Sequence, residues 1–190
     1  MQAYSYMSGK SGGRGRETLF RVTFRNQINL IQIADNKANM IISINSIIIS
    51  VIISISGFGM VSDSLEFSKA DIAIPVTLII LTCLMSVVYA IQAARPHIIR
   101  NKKGELEITS KNTSMLFFGT ISKKSMEEYM EEMDTLLKSK ESIYKNMTID
   151  IYNQGKVLKR KYHLLSIAYL IFMYGFVFSV ITFLIMFVIP

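Results

Sequence analysis

The stretch NMIISINSIIISVIISISGFGMV, residues 39–61, decides the fold class of this chain. It carries no charged side chain and, at about 1.5 Å per helical residue, is long enough to cross a hydrocarbon layer of about 30 Å. The stretches 72–94 and 164–189 are also apolar and uncharged. With 51% hydrophobic and 18% charged residues, the composition differs from that of a typical soluble domain. The sequence therefore predicts an all-α membrane protein with three transmembrane helices.

The distribution of charge predicts how the chain is oriented. Residues 1–38 carry six Lys or Arg against two Asp or Glu, residues 62–71 carry one against three, and residues 95–163 carry fourteen against nine. Basic residues near membrane spans tend to remain on the cytoplasmic side. We therefore expect the N-terminus and residues 95–163 to be cytoplasmic, and the short loop and the C-terminus to be external.

The apolar and charged stretches divide the chain into seven segments. Phe20, Phe24 and Ile28 recur at helical spacing, which indicates a helix before the first span. This helix either projects into the cytoplasm or lies on the membrane, with Arg21 and Arg25 near lipid phosphates. The segments are a flexible basic tail (1–17), a cytoplasmic or interfacial helix continuous with the first span (18–38), the first span (39–61), an external loop (62–71), the second span (72–94), a cytoplasmic helical region (95–163) and the third span (164–189).

The region 95–163 is expected to form a small helical hairpin. Ser125 and Glu128 have the spacing of a capping box, which marks the start of a helix. A second helix begins near Glu141 and leads into the third span. The first helix has a single apolar stripe for packing, formed by Met126, Tyr129, Met130, Met133 and Leu137.

Polar and small residues share one face of the first span. Projected at about 100° per residue, this face begins at the cytoplasmic mouth and excludes Asn45 and Ser56. It either packs closely against other membrane helices, as the seam of an oligomer, or lines a wetted path when copies assemble. Asp35 and Lys37 point in different directions, so each charge at the mouth needs a partner from elsewhere. The face consists of Asp35, Asn39, Ser43, Ser46, Ser50, Ser54 and Gly57.

The sequence contains no recognisable catalytic or metal-binding motif. His97 and His163 lie far apart, and no cluster of Cys, His and carboxylates has the spacing of metal ligands. Nucleophile elbows and phosphate-binding glycine loops are also missing. We therefore predict a protein that is not an enzyme, binds no metal and does not act on nucleic acid.

Four stretches in the chain share a pattern with a known family. They are IADNKANMIISINSIIIS (Ile33–Ser50), AARP (Ala93–Pro96), NTSMLFFGTISKKSMEEYMEEM (Asn112–Met133) and IYNQGKVLKRKYHLL (Ile151–Leu165). Together they resemble the Pycsar effector transmembrane family of small bacterial antiphage proteins. The resemblance implies an effector in the bacterial inner membrane that responds to cyclic CMP or cyclic UMP made by a companion cyclase. Membrane integrity then fails, and the infected cell stops growing or dies.

The resemblance also implies a nucleotide site, although the chain has no room for the β-barrel domain familiar from other cyclic-nucleotide-binding proteins. A phosphate needs a cation, and a base needs an aromatic ring or an amide. The candidate ligand-binding residues are Arg95, Lys111, Asn112 and Phe118, with lipid headgroups as the alternative ligands.

We expect a homo-oligomer in the lipid bilayer, because three helices from one chain leave little lumen. Two other functions remain open. One is a membrane-anchored adaptor or scaffold that recruits a partner through its cytoplasmic helices. The other is an ion channel unrelated to defence.

Overall fold

The computed structural model describes residues 13–61, 70–95, 114–115, 121 and 124–188. The regular structure within these residues forms four helices. They are α1 (Gly13–Val61), α2 (Ala70–Ala94), α3 (Met126–Leu137) and α4 (Lys140–Val188). In α1, α2 and α4 the apolar segments are long enough to cross a membrane. The prediction of an all-α fold with three membrane-spanning helices is confirmed to this extent.

The first helix is a continuous element of 49 residues. It contains no proline, and its glycines lie near its two ends, so no residue in its interior interrupts the backbone hydrogen bonds. It begins inside the segment predicted as a flexible tail (1–17), where the hydroxyl of Thr18 donates to the carbonyl oxygen of Arg14 at 2.8 Å. The helix expected at 18–38 and the first span are therefore one element.

The other two long helices also extend beyond their apolar stretches. The second begins at Ala70, inside the loop predicted for 62–71, and Pro75 lies within it. A proline at that position removes one intrahelical hydrogen bond. The fourth is another continuous helix of 49 residues, beginning at Lys140. The second helix of the expected hairpin and the third span are consequently a single helix.

The described residues divide into two compact units. The "polar unit" consists of residues 13–30, 114–115, 121 and 124–158, and the "spanning unit" consists of residues 31–61, 70–95 and 159–188. Both α1 and α4 contribute residues to both units.

Small side chains build most of the core of the spanning unit. Alanine allows membrane helices to approach closely, and close packing drives helix association where lipid already solvates apolar side chains. Gly175 shows such an approach, because a Cβ atom there would lie 2.2 Å from Cγ2 of Thr82. The buried core residues are Ala34, Ala38, Ile41, Ala90, Ala93, Leu165 and Ala168.

A buried polar contact joins all three helices of the spanning unit. The side-chain amide of Asn45 donates to the carbonyl oxygen of Ile41 at 2.8 Å and to Oγ of Ser86 at 3.4 Å. Ser86 in turn donates to the carbonyl oxygen of Ala168 at 3.0 Å. Hydrogen bonds of this kind help to fix which faces of membrane helices meet. Asn45, which lies off the polar face of α1, is thus a packing residue.

In the polar unit, α3 begins at the predicted capping box. The backbone N–H of Glu128 donates to Oγ of Ser125 at 3.2 Å, and the backbone N–H of Ser125 donates to Oε2 of Glu128 at 3.1 Å. Both halves of the box are therefore formed, and two N–H groups at the start of the helix are satisfied.

The apolar stripe predicted for α3 packs only in part. Leu136, which the prediction omitted, is buried, and Tyr129 and Met133 are half-buried. The helix contacts its unit through a face that is rotated from the predicted one. The remaining stripe members form an "apolar ridge" that is exposed within the chain: Met126 (70%), Met130 (56%) and Leu137 (60%).

Candidate functional site

The predicted polar face of α1 points away from the other helices of the spanning unit. The buried residues Ala34, Ala38, Ile41 and Asn45 lie on the opposite side of the same helix, at about 100° per residue. One side of α1 therefore packs against α2 and α4, and the polar side is left to meet lipid or another molecule. The exposed members of the polar face are Asn39, Ser43, Ser46, Ser50, Ser54 and Gly57.

Serine hydroxyls on this face bond to their own helix. Ser50 Oγ donates to the carbonyl oxygen of Ser46 at 2.8 Å, and Ser54 Oγ donates to the carbonyl oxygen of Ser50 at 2.8 Å. A hydroxyl that is satisfied in this way costs less to place in lipid than an unpaired one. These serines are therefore compatible with a lipid-facing surface, with a seam between copies and with a wetted path.

Asp35, at the mouth end of the polar face, forms an ion pair with α4. Its Oδ1 lies 2.5 Å from Nζ of Lys161, which is also 3.4 Å from the carbonyl oxygen of Ala94. The Lys161 side chain is 9% exposed and that of Asp35 is 38% exposed. Lys161 thus connects α1, α4 and the end of α2. Lys37, the other charge predicted at the mouth, is exposed.

The sequence spacing, once the buried residues of α4 are known, gives part of the explanation for this pairing. Lys161 is four residues before Leu165 and seven before Ala168, both of which are buried core residues. This spacing puts the lysine on the packed face of α4. The prediction found that Asp35 needs a partner outside its own helix, but it did not identify Lys161.

Of the four predicted ligand-binding residues, the structure describes Arg95. Arg95 is exposed at the end of α2, where its backbone N–H donates to the carbonyl oxygen of Ile91 at 2.9 Å. Lys111, Asn112 and Phe118 lie outside the described residues. Their assignment stays a prediction.

The polar unit contains a cavity that the sequence analysis missed. It has a volume of about 560 Å³ and lies between the first part of α1 and the first part of α4. Pockets for small organic ligands usually measure about 300–1,000 Å³. The side chains that give it chemical character are Phe20, Arg21, Phe24 and Arg25 of α1 and Met147 and Asp150 of α4.

Asp150 is the most deeply buried polar residue that lines this cavity. The residue is 6% exposed, and its Oδ2 accepts a hydrogen bond from Nε2 of Gln154 at 3.3 Å. Its Oδ1 has no hydrogen-bond partner among the described residues. Burial raises the pKa of Asp150 above its usual value, and the bond from Gln154 lowers it to a lesser degree.

The side of the cavity formed by α1 is fixed by aromatic contacts. The ring of Phe20 stacks on that of Tyr144, with centroids 5.6 Å apart and an interplanar angle of 24°. The guanidinium of Arg16 lies 5.2 Å from the centre of the Tyr144 ring. The repeat of Phe20 with Phe24 is visible in the sequence, but there it predicts only a helix that projects into the cytoplasm or lies on the membrane.

No group of three or more His, Cys, Asp or Glu side chains in the described part of the chain is arranged to hold a metal ion. The two units carry different functional groups. The spanning unit offers a polar outer face and a partly buried ion pair. The polar unit offers a cavity with aromatic, cationic and carboxylate groups.

Comparison with known proteins supplies the biological context. The Pycsar effector protein domain matches residues 19–188. No curated protein sequence and no solved structure matches the chain. The family match extends over most of the chain and includes parts of both units, all of α2, α3 and α4, and nearly all of α1. The chain belongs to the Pycsar effector family, and it is a membrane effector of antiphage defence that is associated with a companion cyclase.

Proposed function

We propose that this effector is activated by a cyclic pyrimidine nucleotide, cyclic CMP or cyclic UMP, which the companion cyclase makes during infection. The activated protein oligomerises or opens and impairs the integrity of the membrane, so that the infected cell stops growing or dies. The observation that carries the proposal is the family match over residues 19–188, in which all three membrane-spanning helices are included.

The proposed site of action is the bacterial inner membrane. The charge distribution favours a cytoplasmic N-terminus and an external C-terminus. The polar unit would then lie in the cytoplasm, the compartment in which a nucleotide signal is made. The protein acts on lipid and on other copies of itself, and it needs no catalysis of its own.

Self-association is supported by the outward polar face of α1. Ser46, Ser50 and Ser54 are exposed within the chain and lie on the side opposite the alanine-rich core. Small polar residues promote close contacts between membrane helices. Several copies that meet along this face would either pack it tightly as a seam or leave a water-filled path between the serines. Only the water-filled path would conduct ions.

The proposal is tested by expressing the protein in bacteria together with a pyrimidine nucleotide cyclase. We expect growth arrest and entry of a membrane-impermeant dye only when the cyclase is active. A cyclase with an inactivated catalytic site is the matched control. Dye entry that is equal with the active and the inactive cyclase would contradict activation by a nucleotide and would favour a constitutive ion channel.

The apolar ridge of α3 supports a second candidate function. Met126, Met130 and Leu137 are exposed within the chain, and exposed apolar surfaces commonly bind other proteins. In this alternative the protein is a membrane-anchored adaptor or scaffold. Growth arrest without dye entry, abolished by Met126→Ser with Met130→Ser, would favour it over the effector that permeabilises the membrane.

A further inference from the structure

The cavity of the polar unit has the groups that a mononucleotide requires, and we propose that it is the nucleotide-binding site of this protein. The site is formed by Phe20, Phe24, Arg21 and Arg25 of α1 and by Asp150 of α4. This inference rests on the proposed function for the identity of the ligand, a cyclic pyrimidine nucleotide. The proposed cavity is a different site from the one predicted from the sequence, which consists of Arg95, Lys111, Asn112 and Phe118.

The first argument is the arrangement of rings and cations on α1. Phe20 and Phe24 are four residues apart, as are Arg21 and Arg25, so each pair is repeated on successive turns of the helix. All four side chains line the same cavity. An aromatic ring stacks on a base, and a guanidinium donates two parallel hydrogen bonds to a phosphate. A ligand with a planar ring and a phosphate would use both pairs.

The second argument is the free acceptor on Asp150. Oδ1 is buried without a partner among the described residues, and an unpaired buried acceptor costs free energy. Cytosine presents an exocyclic N–H₂ donor, and uracil presents a ring N–H donor. Either base would satisfy this oxygen. The buried amide oxygens of Gln27 and Gln154 in the same unit also have no partner among the described residues.

The third argument concerns the balance of charge. Glu17 also lines the cavity, so two carboxyl groups and two guanidinium groups belong to its lining. Burial favours the neutral form of Asp150, which decreases its repulsion of an anion. Glu17 is exposed, so water weakens its repulsion of an anion in the cavity, and it lies four residues before Arg21, a spacing at which side chains of opposite charge attract each other.

The same groups argue against a helix of a second copy as the occupant. An apolar helix face would cover the phenylalanines, but it would leave Asp150 unpaired and two guanidinium groups desolvated. A phospholipid headgroup has the phosphate but no base to stack on Phe24 or to donate to Asp150. The nucleotide is therefore the ligand that uses the aromatic, cationic and carboxyl groups together.

The experiment measures binding of radiolabelled cyclic CMP and cyclic UMP to the full chain in nanodiscs of zwitterionic phosphatidylcholine. We expect saturable binding of at least one of them. The variants Phe24→Ala, Arg25→Ala and Asp150→Leu should each weaken binding about tenfold or more, since each removes a direct contact. Asp150→Asn keeps an acceptor oxygen and should bind within about threefold of the unchanged protein.

Arg14→Ala is the matched control, because Arg14 is an exposed arginine of the same helix that does not line the cavity. Its binding should be unchanged, and the helix content of every variant is checked by circular dichroism. Equal losses for Arg14→Ala and Arg25→Ala would mean that only general charge attracts the ligand, and would overturn the site. Full competition by equimolar inorganic phosphate or by anionic phospholipid would overturn it too, because neither has a base.

The outcomes separate this inference from the proposed function. If a nucleotide binds but the three cavity variants retain full affinity, the site is wrong and nucleotide activation still stands. If neither nucleotide binds the unchanged protein, the site is overturned; dye entry that still depends on an active cyclase would then show that effector activation survives through another route.

Discussion

Lys161 and Asp35 form an ion pair in which the lysine is much more deeply buried than its partner. The distance between Nζ and Oδ1 is 2.5 Å, and the lysine side chain is 9% exposed against 38% for the aspartate. Removing the counter-ion of a buried charge is more damaging than removing both charges together. This asymmetry leads to the first prediction.

Asp35→Asn should lower the free energy of unfolding by about 2–3 kcal/mol, somewhat less than a fully buried pair would lose, because Asp35 is partly exposed. Adding Lys161→Met should recover most of the loss. Thermal unfolding in detergent, followed by circular dichroism, measures both effects. Lys37→Ala, an exposed lysine of the same helix, is the control and should change stability by less than about 0.5 kcal/mol. A double variant no more stable than Asp35→Asn would contradict this account.

Gly175→Ala should destabilise the spanning unit by about 1–3 kcal/mol, because the added methyl group overlaps with Thr82. The new Cβ atom would lie 2.2 Å from Cγ2 and 2.6 Å from Oγ1 of that threonine. Adding Thr82→Gly should relieve the overlap. Gly57→Ala is the matched control, since no atom lies within 4 Å of its added Cβ. Similar melting temperatures for the two single alanine variants would show that the close approach has no energetic effect.

The two asparagines of α1 should respond differently to replacement by alanine. Asn45 is fully buried and bonded to Ser86, so Asn45→Ala should lower stability by about 1–2 kcal/mol through lost hydrogen bonding and packing. Asn39 is exposed, so Asn39→Ala should leave the stability of the single chain nearly unchanged. Unfolding in detergent at low protein concentration makes the comparison, and a larger loss for Asn39→Ala would reverse our assignment of the packed side.

Contact between copies along the polar face can be tested with single cysteines. In a Cys83→Ala background, Ser50→Cys should form disulfide-linked dimers in membranes from cells that contain the active cyclase. Ile52→Cys, on the opposite and partly buried side of α1, should form few. The two variants are compared on non-reducing gels after mild oxidation. Efficient cross-linking of Ile52→Cys with none of Ser50→Cys would exclude this face as the seam.

Asp150 should make stability depend on pH. Its pKa is raised in the folded protein, so folding favours the protonated form, and the stability that this contributes is lost as the pH rises through the folded pKa. Asp150→Asn removes the titration. The variant should therefore gain stability relative to the unchanged protein as the pH rises from 4 to 7, that is, above the ordinary pKa of an aspartate, 3.8. Parallel melting curves of the two proteins across this range would contradict the shift.

The features that local sequence controls were the ones that could be predicted. The capping box of Ser125 and Glu128 depends on residues three apart, and the spans depend on uninterrupted apolar stretches. Both were identified from the sequence and are present in the structure. The first and last residues of the helices could be predicted less closely than the spans themselves. The reason is that the helices continue past the apolar residues into polar residues, as at Ala70.

The features that depend on contacts between helices could not be predicted in the same way. Nothing in the first half of the chain shows that Asp35 meets Lys161, because that choice depends on how α1 and α4 are rotated against each other. The same holds for Leu136, which is buried in place of Met130. The cavity beside Asp150 also needs two helices, so its residues carried no joint signal in the sequence.

The serine hydroxyls that bond to their own helix also affect the energetics of switching. Because Ser50 and Ser54 already donate hydrogen bonds within their own helix, copies that assemble along this face, as we propose, would not have to break or replace those bonds. Two states that are close in free energy respond to a small bias. A shift from about 1% to about 99% assembled needs roughly 5.5 kcal/mol of differential affinity, which lies within the range of small-ligand binding.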